Sequence, residues 1–209
     1  MSGTAALARG AAAAQEALAR EGAQTGQAGK TSLPAQLVGP FPEGSDPEEY
    51  DRLRRRTLWR MPLGIYLLGS SAGGRRNLMT HNWAVQVATS PKLLAVSVRN
   101  DAVTCELVKK GRVFSLCFLK REDRALARMF TKPAQEGPEE GSLNGFPIRT
   151  GSTGAPVLQQ SAAWVECEVR SEMSVGDHTL FIGEVVDCSA PDEQSPLLRI
   201  EDTRLNYGG

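Results

Sequence analysis

The sequence lacks the charge imbalance and the long apolar segment that mark two common classes of protein. Its 209 residues carry 24 basic and 24 acidic side chains, so no general attraction to nucleic acid or to an anionic membrane surface is expected. No run approaches the roughly 20 apolar residues of a membrane span. Arg9, Glu16 and Arg20 interrupt the Ala-rich stretch that could otherwise resemble a signal peptide. We therefore expect a cytoplasmic protein whose partners are neither nucleic acid nor membrane.

Histidine and cysteine are scarce, and their spacing does not suit a metal site. The chain has two histidines, His81 and His178, and neither has a second histidine or a cysteine at ligand spacing. The four cysteines form no C-x-x-C pair; they are Cys105, Cys117, Cys167 and Cys188. We expect no bound metal, and thiols that stay reduced and mostly buried.

Aromatic residues are absent from the first 40 positions, although the chain has twelve of them. Residues 1–36 contain twelve alanines together with Gly, Gln, Ser and Thr, and no large apolar run. Such a segment cannot bury enough surface to offset the entropy lost on ordering. The sequence predicts a disordered, low-complexity arm over residues 1–40, followed by one domain over residues 41–209.

Capping signals and apolar periodicity predict three helices in that domain. Asp46 is the expected N-cap of a helix that begins at Pro47, because Glu48 and Glu49 then favour the positive end of the helix dipole. Two shorter helices are predicted at 102–110 and 121–130. In the second of the three, Thr104 is a possible N-cap.

Short apolar or alternating runs predict the strands. The expected strands are 64–69, 83–88, 93–98, 113–118, 163–169 and 179–186, with a further candidate at 197–200. The glycine-rich segment 69–74 is expected to be a hairpin loop, because it lacks the G-x-G-x-x-G spacing of a dinucleotide-binding turn.

Two details of this strand prediction concern the second half of the domain. Alternation over 163–169 places Val165 and Cys167 on the core face and Glu166 on the solvent face. The segment 132–154 is rich in Pro, Gly and acidic residues, which favours a long excursion without sheet structure. Strands in succession with inserted helices predict a mainly β fold, an antiparallel barrel with a few helices.

Two loops concentrate the polar groups that could bind a ligand. One is 77–84, and the other is 97–104, which follows after one strand. Their hydroxyl, amide and guanidinium groups suit an anionic ligand with a planar apolar part. The alternative, with about equal weight, is that these are ordinary turn residues.

The order of these features resembles the flavin reductase-like family of FMN-binding split barrels. The matching parts are the opening Met61-Pro62-Leu63-Gly64, the segment 77–83, Ser90-Pro91, Ser97 with Thr104, the segment 111–119, and Gly176-Asp177-His178 followed by 180–185. The last four residues, 206–209, also resemble endings seen in that family. The resemblance covers residues 57–209.

The resemblance implies a homodimer of split β-barrels, antiparallel and Greek-key-like, with FMN in the groove between subunits. It further implies a flavin reductase that oxidises NADH or NADPH, with FAD as a possible replacement for FMN. The reduced flavin would pass to a separate flavin-dependent monooxygenase, in a two-component system. Two alternatives remain open: a tightly held FMN that serves an electron carrier or sensor, and a barrel with another pocket ligand such as a deazaflavin or haem.

The resemblance also assigns candidate residues. The backbone of Asn82, Trp83 and Ala84 would contact the isoalloxazine, and His178 is the candidate catalytic side chain near the nicotinamide or flavin edge. Ribityl and phosphate contacts would come from Ser97, Arg99, Asn100 and Thr104. The remaining cofactor-binding candidates are Asn77, Thr80, His81 and Ser115.

Alternatives accompany three of these assignments, and the sequence departs from the family pattern at two places. Trp83 could equally be a core residue, His178 a turn residue oriented by Asp177, and Thr104 a helix N-cap, with or without a ligand contact. Ser115 and Leu116 stand where the family strand usually has valine and asparagine. His81 and Asn82 stand where small or hydroxylic residues are frequent.

Overall fold

The computed structural model describes residues 37–137 and 141–205, so most of the predicted arm, residues 1–36, lies outside the described residues, as do 138–140 and 206–209. The described residues divide into two units between Arg52 and Leu53. The described residues contain three α-helices: α1 (Pro47–Leu58), α2 (Val103–Gly111) and α3 (Leu126–Met129). They contain ten strands: β1 (Tyr66–Ala72), β2 (Arg75–His81), β3 (Ala84–Thr89), β4 (Lys92–Arg99), β5 (Val113–Phe118), β6 (Ser142–Leu143), β7 (Phe146–Thr150), β8 (Pro156–Leu158), β9 (Ala163–Val175) and β10 (His178–Ser189).

The helix starts follow the capping signals only in part. At α1 the Asp46 carboxylate accepts the backbone N–H of Glu49 at 2.8 Å, which confirms the predicted N-cap. At α2 the N-cap residue is Ala102, which offers no side-chain acceptor, so the capping role considered for Thr104 is wrong. The predicted helix 121–130 is broken into a 3₁₀ turn, Arg121–Asp123, and the single turn of α3.

Seven strands form one sheet in the order β2-β1-β5-β9-β10-β4-β3, and every neighbouring pair is antiparallel. The predicted mainly β, antiparallel fold is thus confirmed. The first hairpin is tighter than expected, because strand pairing continues through Ser71 and Ala72. Only Gly73 and Gly74 form its turn, with φ of 56° and 79°, a conformation that glycine adopts without a steric penalty.

The segment 132–154 is not the structureless excursion that its composition predicts. Strands β6, β7 and β8 form a second, three-stranded antiparallel sheet. Its strands bury Leu143, Ile148 and Leu158 in the same core cluster as Leu67 of β1, and this apolar burial outweighs the turn-forming composition around it. The candidate strand at 197–200 is also absent: the segment makes two isolated bridges and leads into a 3₁₀ turn, Ile200–Asp202.

The prediction that Glu166 faces solvent is wrong, because its side chain is fully buried. The segment 151–153 wraps around its carboxylate: the backbone N–H groups of Ser152 and Thr153 donate at 2.9 and 3.1 Å, and the Thr153 hydroxyl donates at 2.5 Å. A Cβ on Gly151 would come within 1.7 Å of the carboxylate. The free-energy cost of burying this carboxylate is therefore offset by hydrogen-bond donors from the loop 151–153. The alternation of residues within 163–169 carries no information about that loop.

The remaining predictions concern the cysteines and membrane segments. Cys105, Cys117 and Cys167 are buried and Cys188 is exposed, and all four are free thiols. Among the described residues, no helix has the length and apolar character needed to span a bilayer.

Candidate active site

A cavity of about 440 Å³ opens between the end of β2, the end of β4 and the start of α2. In the hydrogen-bonded order of the sheet, four strands separate β2 from β4. Both strands nevertheless line the cavity, and α2 packs against both of them, so the sheet curves to bring its two ends together. Seven predicted site residues line this cavity: Asn77, Thr80, His81, Asn82, Ser97, Arg99 and Thr104.

Asn77 holds together the part of the cavity nearest α2. Its side-chain N–H₂ donates to the Thr104 hydroxyl at 2.8 Å, and its carbonyl oxygen accepts the backbone N–H of Ala134 at 2.7 Å. Asn77 and Thr104 are both buried. The predicted cofactor residue thus fixes the cavity wall, since its side-chain amide is engaged in joining β2, α2 and the segment before β6.

The start of α2 offers the cavity an anion-binding end. Ala102, Val103 and Thr104 line the cavity, and no side chain caps the first turn. The first N–H groups of a helix carry partial positive charge and suit a phosphate oxygen. Arg99 and Lys132 also line the cavity, and Arg99 pairs with Asp101 through Nε–Oδ1 at 3.0 Å.

His81 lies about 13 Å further along β2 than Asn77, at about 3.3 Å per strand residue. Its Nε2 is 3.0 Å from the Trp83 carbonyl oxygen, which also accepts the Ser97 N–H at 3.1 Å. Burial lowers the pKa of the His81 imidazole to about 4; the bond to Trp83 opposes this shift and the nearby His178 adds to it. His81 is therefore neutral at pH 7, with Nε2 as the donor to the carbonyl.

Asn82 follows His81 and is the unsatisfied group of the cavity. Its side chain is 3% exposed and lines the cavity. Its Nδ2 has no hydrogen-bond partner in the described part of the chain. Buried polar groups are nearly always paired in folded proteins, so an unpaired one on a cavity wall points to a ligand acceptor.

His178 and Trp83 pair with each other beside the cavity, and neither lines it. Their ring centroids are 4.8 Å apart, and His178 Nδ1 is 2.6 Å from the Asp177 carboxylate. Register places His178 opposite Arg99, which does line the cavity. Asn100 joins the end of β4 to the start of β10. Its side-chain oxygen accepts a hydrogen bond from the Thr179 hydroxyl at 2.7 Å, and its backbone N–H donates to the Asp177 carbonyl.

Two further candidates lie away from the cavity lining. Ser115 is fully buried, and its hydroxyl donates to the Pro156 carbonyl at 2.5 Å. This bond joins β5 to β8 of the second sheet. A Cβ on Gly69 of β1 would come within 2.1 Å of the same hydroxyl. Ala84 is half-buried at the start of β3.

Sequence reasoning missed one wall of the cavity, which follows α3 and is hydrogen-bonded to β2 on either side. It comprises Thr131, Lys132 and Pro133, together with Ile200 and Leu205 near the end of the described chain. Nothing in the local pattern marks these residues, because their role depends on the bond from Asn77 to Ala134. In the described residues no group of three or more His, Cys, Asp or Glu side chains is arranged to hold a metal ion.

Comparison with known proteins identifies relatives of this fold and site. The family model described as "Flavin reductase like domain" matches residues 58–206. A ferric-chelate reductase (NAD(P)H) of Archaeoglobus fulgidus is 30% identical over 132 residues, which are 62% of this chain and 76% of the relative. The NADH-dependent flavin reductase StyB of Pseudomonas fluorescens is 30% identical over 134 residues, 64% of this chain and 75% of the relative. The solved styrene monooxygenase flavin reductase of Pseudomonas putida S12 is 28% identical, with a TM-score of 0.60 over 69% of this chain and 90% of its own.

The buried state of His81 predicts a pH dependence of stability. An unfolded histidine titrates near pH 6.5, whereas folded His81 does so at about 4. Between these pH values the unfolded chain binds more protons than the folded one. The contribution of neutral His81 to the free energy of unfolding is therefore complete above pH 6.5 and is lost as the pH falls toward 4. The loss should approach about 3 kcal/mol.

Urea unfolding of the parent and of His81→Gln between pH 7 and pH 4.5 checks this. The free energy of unfolding should fall less steeply in the variant, which has no imidazole to protonate. Parallel curves for the two proteins would show that burial of His81 does not cause the acid sensitivity.

Proposed function

Because the chain belongs to the family of flavin reductase like domains, we propose that it transfers a hydride from NADH or NADPH to FMN, with FAD as a possible replacement. The chain is an oxidoreductase of this family. The observation that supports the cavity as the flavin site is its unpaired Asn82 amide, which follows the end of β2, together with the uncapped start of α2, which Asn77 joins to β2 through Thr104. One feature suits a ring carbonyl and the other suits a phosphate.

The residues present fit such a ligand. Arg99, Lys132 and the first N–H groups of α2 would hold the phosphate. Met79, His81 and Asn82 would border the ring system, with His81 neutral. The flavin, when bound, would accept the hydride from the reduced nicotinamide, so the protein needs to align two rings and exclude water more than to supply an acid or base.

His178 is proposed as the side chain that meets the nicotinamide or the flavin edge. The Asp177 carboxylate at 2.6 Å orients its ring, and Trp83 packs against it. In this arrangement His178 Nε2 could steer a ligand group at the cavity edge, with Asn100 and Ser97 fixing the strands on which it depends.

We further propose a homodimer of split barrels. Register places Val85, Ser97 and Met173 on one face of the sheet, and Val85 and Met173 are 61% and 57% exposed. Exposed apolar side chains on a sheet face suit burial against another chain. Because Ser97 also lines the cavity, a second copy on this face would border the flavin site.

The proposed product is reduced flavin delivered to a separate flavin-dependent monooxygenase in the cytoplasm. The similarity to a styrene monooxygenase flavin reductase supports delivery to a monooxygenase. The four free thiols support a location in the reducing cytoplasm.

The reductase function is tested by NADH and NADPH oxidation with added FMN. The protein should accelerate oxidation above the flavin-only background, and a rate equal to that background would exclude the function. Equilibrium dialysis during turnover then separates the two classes of flavoprotein. FMN that exchanges freely supports a reductase that releases its product, whereas FMN that stays bound supports an electron carrier or sensor.

The phosphate end of the site is tested by Arg99→Ala and Lys132→Ala. Each should weaken FMN binding about tenfold, the loss expected for one charge-assisted hydrogen bond. Riboflavin, which has no phosphate, should bind the variants and the parent alike. Fluorescence titration gives both constants, with Lys92→Ala, an exposed lysine outside the cavity lining, as the control. Equal losses for FMN and riboflavin would place the phosphate elsewhere.

The dimer is tested by sedimentation equilibrium. The parent should have twice the monomer mass, and Val85→Glu with Met173→Glu should give monomers, because two charges would be buried without partners. Leu53→Glu, on the exposed surface of α1, is the control and should remain dimeric. A monomeric parent at micromolar concentration would contradict the proposal.

A further inference from the structure

A second cavity lies where the chain before β1 and the chain after β5 diverge. Segment 196–199 fills the gap between them, because Leu198 accepts the backbone N–H of Ile65 on one side and donates to the Leu119 carbonyl on the other. The cavity has a volume of about 400 Å³ and shares only Ile65 with the lining of the proposed flavin cavity. We call it the Tyr66 groove, and it is lined by residues 62–66 and 196–199 together with Phe118, Leu119 and Arg121.

The charged side chains that line the Tyr66 groove are both basic. They are Arg121 and Arg199, and no acidic side chain of the described residues joins them in the lining. Their acidic partners lie outside it: Arg121 Nε is 3.1 Å from the Asp202 carboxylate, and Arg199 Nη1 is 3.6 Å from that of Glu201. The second distance exceeds that of a hydrogen bond, and a guanidinium has five N–H groups. Both arginines therefore retain donors for a further acceptor.

The Tyr66 hydroxyl adds a neutral donor to the same groove. It lies against Gly64, since a Cβ on that residue would come within 2.3 Å of the hydroxyl oxygen. Tyr66 is half-buried, and its hydroxyl has no hydrogen-bond partner among the described residues. Burial raises the pKa of this hydroxyl, so it stays protonated and able to donate at pH 7.

The remaining side chains of the lining are apolar. Leu119 and Leu198 are buried, whereas Leu197 is 42% exposed. Phe118 packs edge-on against the Tyr66 ring, with centroids 5.3 Å apart. A groove with an apolar surface and a few convergent donors suits a small molecule that has an apolar body and a negatively charged end.

We propose that the Tyr66 groove is a second small-molecule site, which binds a carboxylate attached to an apolar ring or chain. The apolar body would lie against Phe118 and Leu198, and the carboxylate would accept hydrogen bonds from Arg121, Arg199 and the Tyr66 hydroxyl. A carboxylate is favoured over a phosphate dianion, because Asp202 and Glu201 already offset the two positive charges. This site goes beyond the proposed reductase function and does not depend on it.

The experiment measures binding of naphthalene-2-carboxylate to the full chain by isothermal titration calorimetry, without FMN and with FMN at saturation. Naphthalene-2-methanol, which has the same ring system and no charge, is the matched probe. The parent should bind the carboxylate at least about fivefold more tightly than the alcohol, with or without FMN. Arg199→Gln and Tyr66→Phe should each weaken carboxylate binding about fivefold, the loss expected for one partly exposed hydrogen bond. Arg199→Gln should leave binding of the alcohol unchanged.

Arg204→Gln is the control, because Arg204 is an exposed arginine of the same part of the chain and lines neither cavity. It should bind both probes as the parent does. Equal losses of carboxylate affinity in Arg199→Gln and Arg204→Gln would overturn the inference, because they would show only a general effect of charge.

Three other results would also overturn it: no binding of the carboxylate, equal affinity of the parent for the two probes, and displacement of the carboxylate by FMN. The last result would place the probe in the proposed flavin cavity. A parent that binds no FMN contradicts the reductase proposal alone, because Arg199 lies outside that cavity and its variant still reports on the Tyr66 groove.

Discussion

The cavity depends on the two hydrogen bonds of one buried amide, Asn77. Through its N–H₂ it holds Thr104 at the start of α2, and through its oxygen it holds Ala134, next to the wall residues 131–133. These two residues are separated from Asn77 by 27 and 57 positions in the chain. A buried amide has few alternative partners, so the position of α2 over β2 and the width of the cavity are specified together.

The chain carries 24 charges of each sign and so has no general positive field. An anionic ligand would therefore be held by hydrogen-bond donors at the cavity itself. The uncapped turn of α2 supplies partial charges that need no counterion, and Arg99 is balanced by Asp101. At the other end the neutral His81 fixes the Trp83 carbonyl without adding charge. The charged side chains of the cavity lining are thus Arg99, Asp101 and Lys132, while burial keeps His81 neutral at pH 7.

Local patterns predicted much of the fold, because alternation and capping act over a few residues. The strand at 113–118 and the helix start at Asp46 were found with correct bounds, and the resemblance to flavin reductases is confirmed. Errors arose where tertiary contacts override local composition. Glu166 is buried because donors from 151–153 surround it, and 142–158 pairs into a sheet because its apolar residues reach the core. Seven candidate residues meet in one cavity, whereas Ser115 joins two sheets; the local sequence around a serine carries no information on this difference.

The wall formed by Thr131, Lys132 and Pro133 has a consequence for how such a site can change over evolution. Its backbone is held from outside, by Asn77 at Ala134 and by Asn144, which accepts the N–H of Gln135 at 2.9 Å. The three side chains that face the cavity take no part in these bonds. Substitutions at Thr131 or Pro133, on either side of the proposed phosphate ligand Lys132, would alter the chemistry of this wall while the hydrogen bonds to Asn77 and Asn144 are kept. The scaffold thereby separates the residues that can diversify from those that maintain the shape of the pocket.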